Sequence, residues 1–292
     1  MEKVITKKSA ATLSIVSNSF IIFLKLIVGV YCGSISIISE AVHSLSDFFA
    51  SVLTFFSVIK SAEPADKKHP FGHGKYEDMS GFIEGGLIIF ASVFIIFEAL
   101  KKILTNTQIS IDVTWGLVVM GLSVVLNFIV SSVLFKVAKE TDSVSLYADA
   151  QHLRTDIISS LGVFLGLVLI KLTGICILDS IIAIVVAVII FRAGFNISRN
   201  TMDNLLDCSL PEDDMSAICT FLDSFKSNGI SEYKDLKARR LGPHKKVEVT
   251  LVFPKQMTIY ECHNICDSIE CKMVEKFGDI SASIHLEPEG NE

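Results

Sequence analysis

Two short polar clusters interrupt an otherwise apolar chain, EAVHSLSD at residues 40–47 and DAQHLRTD at 149–156. Both follow one template: an acid, Ala, any residue, His, two residues, Ser or Thr, then Asp. On a helix, residues four apart share a face, so His43 points with Asp47 and His152 with Asp156. Glu40 and Asp149, three residues before each His, join the same stripes. Two imidazoles and two carboxylates brought together make a tetrahedral N2O2 set, which suits Zn2+ with bonds of ~2.0–2.2 Å. An Asp at the centre of a membrane helix costs roughly 2.5–3.5 kcal/mol on insertion scales, so it faces a cavity, a partner or a ligand. One such residue reads equally well as an interhelical contact. The repeated pair reads as two halves of one cation site.

A third cluster, DKKHPFGHGKYE at residues 66–77, has its own metal logic. Asp66, His69 and His73 are spaced to converge on one ion, and Gly72 and Gly74 permit the tight backbone this needs.

The elements that must position these residues are membrane helices. Half of the 292 residues are hydrophobic and the mean hydropathy is +0.53, too apolar for a water-soluble domain of this length. Low-charge runs at about 11–31, 34–59, 79–100, 113–135, 143–170 and 175–196 are each near or above the ~20 residues that cross a bilayer. The first run exceeds a signal-peptide core and lacks a convincing cleavage site, so it is expected to be an uncleaved helix. Residues 1–204 thus form a six-helix transmembrane domain, and 205–292 a soluble one. With a cytoplasmic N-terminus, the inner segments hold eleven Lys or Arg and the outer loops only Lys101, Lys102 and Lys171. That is a positive-inside bias, which places both termini and the soluble domain in the cytoplasm. The soluble part mixes basic residues with at least as many acids, which gives no nucleic-acid-binding face. The seven cysteines include no C-x-x-C pair and do not indicate a zinc finger.

The soluble domain reads as helix, strand, strand, helix, strand: a helix at about 211–227, strands YKDLKARR and KVEVTLVF about the turn LGPHKK, a helix at 258–277, and the strand ISASIHLEP. The fold class expected is therefore an α-helical membrane protein with a small cytoplasmic α/β, ferredoxin-like domain.

Six helices, H-x-x-x-D in the second and fifth, the loop H-P-F-G-H-G-K and a small terminal domain together resemble the cation diffusion facilitator family, over essentially the whole chain. The resemblance implies a homodimeric, prokaryotic-type exporter of divalent metal, exchanging Zn2+ or a similar ion for protons by alternating access across the cell membrane. It implies no enzyme activity and no organic cofactor. His43, Asp47, His152 and Asp156 would form the transport site and Asp66, His69 and His73 a peripheral one; zinc would be transported and also structural or regulatory, and 205–292 a dimerisation and metal-regulatory domain. Lys75 and Asp207 would form a charge interlock at the dimer's membrane boundary. In the cytoplasmic domain His263, His285 and Glu287 match positions that often ligate metal, with Cys262 or Cys266 as possible helpers. Lys234 and Thr250 stand where relatives with a full cytoplasmic set usually have His.

Family members thought to carry manganese tend to have Asp where this chain has His, and imidazole disfavours Mg2+ and Ca2+. Zn2+ is the first expectation, with Cd2+, Co2+ and Fe2+ open. A rival reading, an intramembrane metallohydrolase, lacks H-E-x-x-H and leaves no open position for a catalytic water. A metal sensor with a passive anchor would not need matched ligands in two membrane helices. Lys25 and Asn127, polar residues within apolar runs, are expected only to line a cavity or make interhelical contacts, and Arg154 to snorkel or to pair with an acid such as Glu84.

Overall fold

The computed structural model describes residues 2–32, 35–105, 113–173, 177–226 and 229–290, with some side chains inside the helices left undescribed, His43 and Glu40 among them. It divides into two compact units, Met1–Met202 and Asp203–Glu292.

The first unit consists of α1 (Glu2–Cys32), α2 (Ile35–Ser61), α3 (Lys75–Thr105), α4 (Val113–Thr141), α5 (Val144–Thr173) and α6 (Ile177–Leu205, its last turn falling in the second unit). Each has 27 to 31 residues. At ~1.5 Å per residue that is ~40 Å, enough to cross a ~30 Å hydrocarbon layer. Among the described residues, Thr6–Val28, Lys75–Lys101, Gly121–Thr141 and Ile181–Leu205 are spans long and apolar enough to do so.

Burial along α3 is inverted relative to a water-soluble helix. Glu77, Asp78, Ser80 and Glu84 are buried, while Ile83, Leu87, Phe90, Phe94 and Phe97 face outward. Such a helix turns its polar groups inward and presents hydrocarbon to hydrocarbon. Small residues let α3 approach α6. A Cβ on Gly85 would meet the Ser198 hydroxyl and its backbone N at 2.8 Å, and one on Gly194 would lie 3.0 Å from the Gly85 carbonyl.

One end of the bundle is tied by a single carboxylate. Glu77, fully buried at the start of α3, takes Lys7 Nζ of α1 at 2.9 Å and Ser61 Oγ of α2 at 3.0 Å on Oε1. Its Oε2 accepts from Ser143, just before α5, and from Ser145 at 3.4 Å. The N-terminal ends of α1, α3 and α5 and the C-terminal end of α2 therefore meet at one charge.

The second unit orders α7 (Glu212–Asp223), β1 (Glu232–Leu241), β2 (His244–Phe253), α8 (Ile259–Phe277) and β3 (Ile280–Pro288). The helix expected at 211–227 is shorter, and the strands run to within two residues of each other. Gly242, at φ 65°, takes a conformation that side chains resist, and Leu241 pairs directly with His244. β2 is central, antiparallel to β1 and parallel to β3. The parallel pairing needs a crossover, which α8 supplies. Thr258 and Glu261 form a reciprocal capping box at its start, and Gly278 at φ 80° ends it. Val247, Leu251, Phe221, Leu222, Ile269 and Met273 fill the core.

Candidate metal centre

Asp47 of α2 and His152 and Asp156 of α5 come together inside the helical unit, their ligand atoms all within 4.8 Å of one another. His152 Nε2 lies 3.2 Å from Asp47 Oδ1. That is already close to ~3.3 Å, the edge of a tetrahedron with bonds of ~2.0–2.1 Å. Asp47 and His152 are 8 % and 6 % exposed, so the groups are withheld from water. His43 stands one turn before Asp47 on α2, but its side chain is outside the described residues.

A polar layer supports these residues. Asn18 of α1 donates to Ser51 Oγ at 2.7 Å and to the Asp47 carbonyl at 3.4 Å. Ser51 also meets Ser14 at 2.9 Å and donates to Asp149 Oδ1 at 3.3 Å. Thr54 and Ser80 donate to Glu84, which is fully buried. None of Ser14, Asn18, Ser51, Thr54 or Ser80 was singled out from the sequence. The available signal was the run of Ser, Thr and Asn at helical spacing on the inner faces of three apolar helices.

Arg154 is exposed and lies over the Phe135 ring, 4.2 Å from its centroid, so the pairing with Glu84 is not made. Lys25 is buried and donates to Ser44 at 2.8 Å, linking α1 to α2.

The α2–α3 loop brings its three residues together as well, with ligand atoms of Asp66, His69 and His73 all within 4.8 Å. Asp66 Oδ1 accepts from the backbone N–H groups of Lys68 at 2.8 Å and His69 at 2.6 Å, which closes a tight turn. Those two bonds, with the imidazoles beside it, hold the Asp66 carboxyl below the usual aspartate range. His69 Nδ1 is 3.4 Å from Asp66 Oδ1, and His73 Nε2 is 3.5 Å from Oδ2. His73 is buried and both its ring nitrogens lack a hydrogen-bond partner. A buried imidazole with two idle nitrogens beside a carboxylate fits a metal ligand. Gly72 at φ 86° makes the turn between the two histidines.

The candidates of the second unit are not gathered in this way among the described residues. His263 is exposed on α8 and faces Asp267 at 3.6 Å. His285 of β3 is exposed, 3.9 Å from Glu287, and Glu287 is taken by Lys234 Nζ at 2.7 Å. That ammonium holds the Glu287 carboxyl below its usual range, and the carboxylate raises Lys234 in turn. Cys262 and Cys266 are buried in the core rather than turned to these residues. Burial pushes the Cys266 thiol up to about 11 and raises Cys262 too, which disfavours the thiolate form of both. Asp207 accepts from Arg239 Nη1 at 2.7 Å within its own unit.

The cation efflux transmembrane domain matches residues 11–206, and the cytoplasmic domain of cation efflux proteins matches 210–289. The chain belongs to the cation diffusion facilitator family. An uncharacterized transporter of Methanocaldococcus jannaschii is 30% identical over 94% of this chain and 96% of its own. The cation-efflux pump FieF of Escherichia fergusonii is 26% identical over 96% of this chain and 92% of its own. CzrB, in its zinc form, shares 34% identity over 29% of this chain and 94% of its own, at a TM-score of 0.28. This cation efflux protein is thus a membrane transporter, with its longest apolar helices in the matched transmembrane domain.

Proposed function

We propose that this facilitator exports a divalent transition-metal ion, Zn2+ first, from the cytoplasm in exchange for protons. It would work as a homodimer in the cell membrane with both termini inside. The observation that carries this reading is the convergence of Asp47, His152 and Asp156 inside the helical unit, the first two buried and Asp156 half-buried. His43 joins them in the proposal on sequence spacing alone.

An imidazole with two carboxylates is a borderline-soft donor set, which supports Zn2+ over Mg2+ and Ca2+. The 3.2 Å approach of His152 Nε2 to Asp47 Oδ1 needs a proton between them, because an ionised carboxylate only accepts. A metal ion takes both groups only when that proton leaves, and a returning proton helps to expel the ion. Inward proton movement then drives outward metal movement through the same side chains, provided that the site faces the two sides alternately. The loop residues Asp66, His69 and His73 would hold a second, resident ion.

The test is ion flux into proteoliposomes under an imposed pH gradient, comparing Zn2+, Cd2+, Fe2+, Co2+ and Mn2+. Wild-type protein should move Zn2+ in proportion to the gradient, and Asp47→Ala with Asp156→Ala should abolish flux. Transport of another ion but not zinc would keep the site and overturn the selectivity. Undiminished transport by the double variant would overturn the site itself.

A further inference from the structure

Beyond the candidate ligands lies a pair of acids that the transport site does not use. Glu84 of α3 and Asp149 of α5 are both fully buried, and Glu84 Oε2 and Asp149 Oδ2 have no hydrogen-bond partner. Their other oxygens are held by hydroxyls, Glu84 Oε1 by Thr54 and Ser80, Asp149 Oδ1 by Ser51. Asp149 lies one turn from His152, and Thr54 two turns from Asp47, both toward the bundle end closed by Glu77.

We propose that Glu84 and Asp149 form a proton-binding pair that serves the metal site without ligating the metal. Burying two carboxylates that share a field, with no basic ion-pair partner, is tolerated when a proton sits on one of them. Charged groups near Glu84 include Asp149 and His152, both from α5. Those near Asp149 include His152 on its own helix and Asp47 of α2. The hydroxyls that hold the two acids, Thr54 and Ser51, stand one turn apart on α2. From α1 comes the Ser14 hydroxyl, from α2 Thr54 and Ser51, and beside Gly85 of α3 stand Ser198 and the Gly194 carbonyl of α6. Among the described residues no lysine or arginine pairs with either acid. His152, a candidate ligand, is a basic group near both acids. When a metal ion occupies the centre, positive charge arrives beside the pair and its proton is released. When the ion departs, the proton returns. The pair thereby adds to the proton count of each cycle a group that never has to compete with metal for a lone pair.

This rests on the proton-coupled reading above, and the experiment separates the two. Zn2+ binding to the full-length protein in detergent is followed by calorimetry in buffers of different ionisation enthalpy, which counts protons released per ion. Asp66→Ala in every sample removes the loop site. Glu84→Gln, which keeps an acceptor for Thr54, should release about one proton fewer per ion than its parent. Its affinity should then fall less steeply as pH is lowered. Asp149→Asn should lose the same proton, and the double variant no more than either alone. Glu84→Asp should restore the parental count. If Glu84→Gln and Asp149→Asn release as many protons as their parent, the pair is structural and the proposal is wrong. If the parent itself releases none, proton coupling fails as a whole and takes this assignment with it.

Discussion

Asp66 supports two separable things, and single-atom changes should part them. Its Oδ1 closes the turn by accepting two backbone N–H bonds, while its charge lies against His69 and His73. Asp66→Asn keeps an acceptor but no charge, so the turn should persist while metal affinity at the loop drops by at least the ~10–100-fold that losing even an outer hydrogen-bond partner costs a site. Asp66→Ala should lose both. Amide hydrogen exchange at Lys68 and His69 reads the turn, and equilibrium dialysis against Zn2+ reads the ion. Faster exchange in Asp66→Asn to the level of Asp66→Ala would mean that charge, not acceptance, holds the loop. The pH dependence has a definite sign. The folded carboxyl titrates below the ordinary ~3.9, so its contribution is complete above that value and is lost as pH falls through the lower, folded one. Protection at these two amides should therefore survive at pH 5 and fail only in stronger acid.

At the level of elements, the Glu77 junction decides how four helices meet. Removing one member of a buried ion pair leaves the other charge uncompensated and costs about 3–5 kcal/mol, whereas an apolar pair of similar volume is often neutral. Glu77→Ala should therefore lower the thermal unfolding midpoint markedly, and Lys7→Met with Glu77→Leu should recover much of it. Equal losses in both would show that the hydroxyls of Ser61 and Ser143, not the charge pair, set the junction. The six helices and their paired motifs were legible in the sequence because apolar length and i, i+4 spacing are local signals. So was the third strand, bounded at Gly278 and Pro288 with little ambiguity. Glu77 was not legible, because nothing in HGKYEDM distinguishes a solvated first-turn acid from one that gathers Lys7 across 70 residues of chain. The hydroxyl layer around Asp47 was missed for the same reason: Ser and Thr are ordinary helix residues until another helix supplies their partner. The burial of Cys262 and Cys266 was not legible either, since it depends on the register of the helix that the capping box at Thr258 opens.

Over the whole molecule, the two units should answer differently to metal. The helical unit contains both gathered clusters, so metal that binds only the folded state stabilises it by mass action, by ~2.7 kcal/mol at a hundredfold excess over Kd. The second unit has a complete apolar core and already carries a cation where a metal would be sought: Lys234 neutralises Glu287, and Lys234, Thr250 and His285 lie in one row across the sheet. An ammonium fixed by the fold leaves little electrostatic reason for an ion to bind there. In calorimetric unfolding of the intact protein, adding Zn2+ should raise the transition of the helical unit, and a chelator should reverse it. The transition of the second unit should stay where it is. Lys234→His removes the built-in charge and adds an imidazole in line with His285, so this variant alone should make the second transition respond to zinc. A wild-type second transition that rises with zinc would show that His263, His285 and Glu287 gather around an ion after all, and that the lysine yields to it.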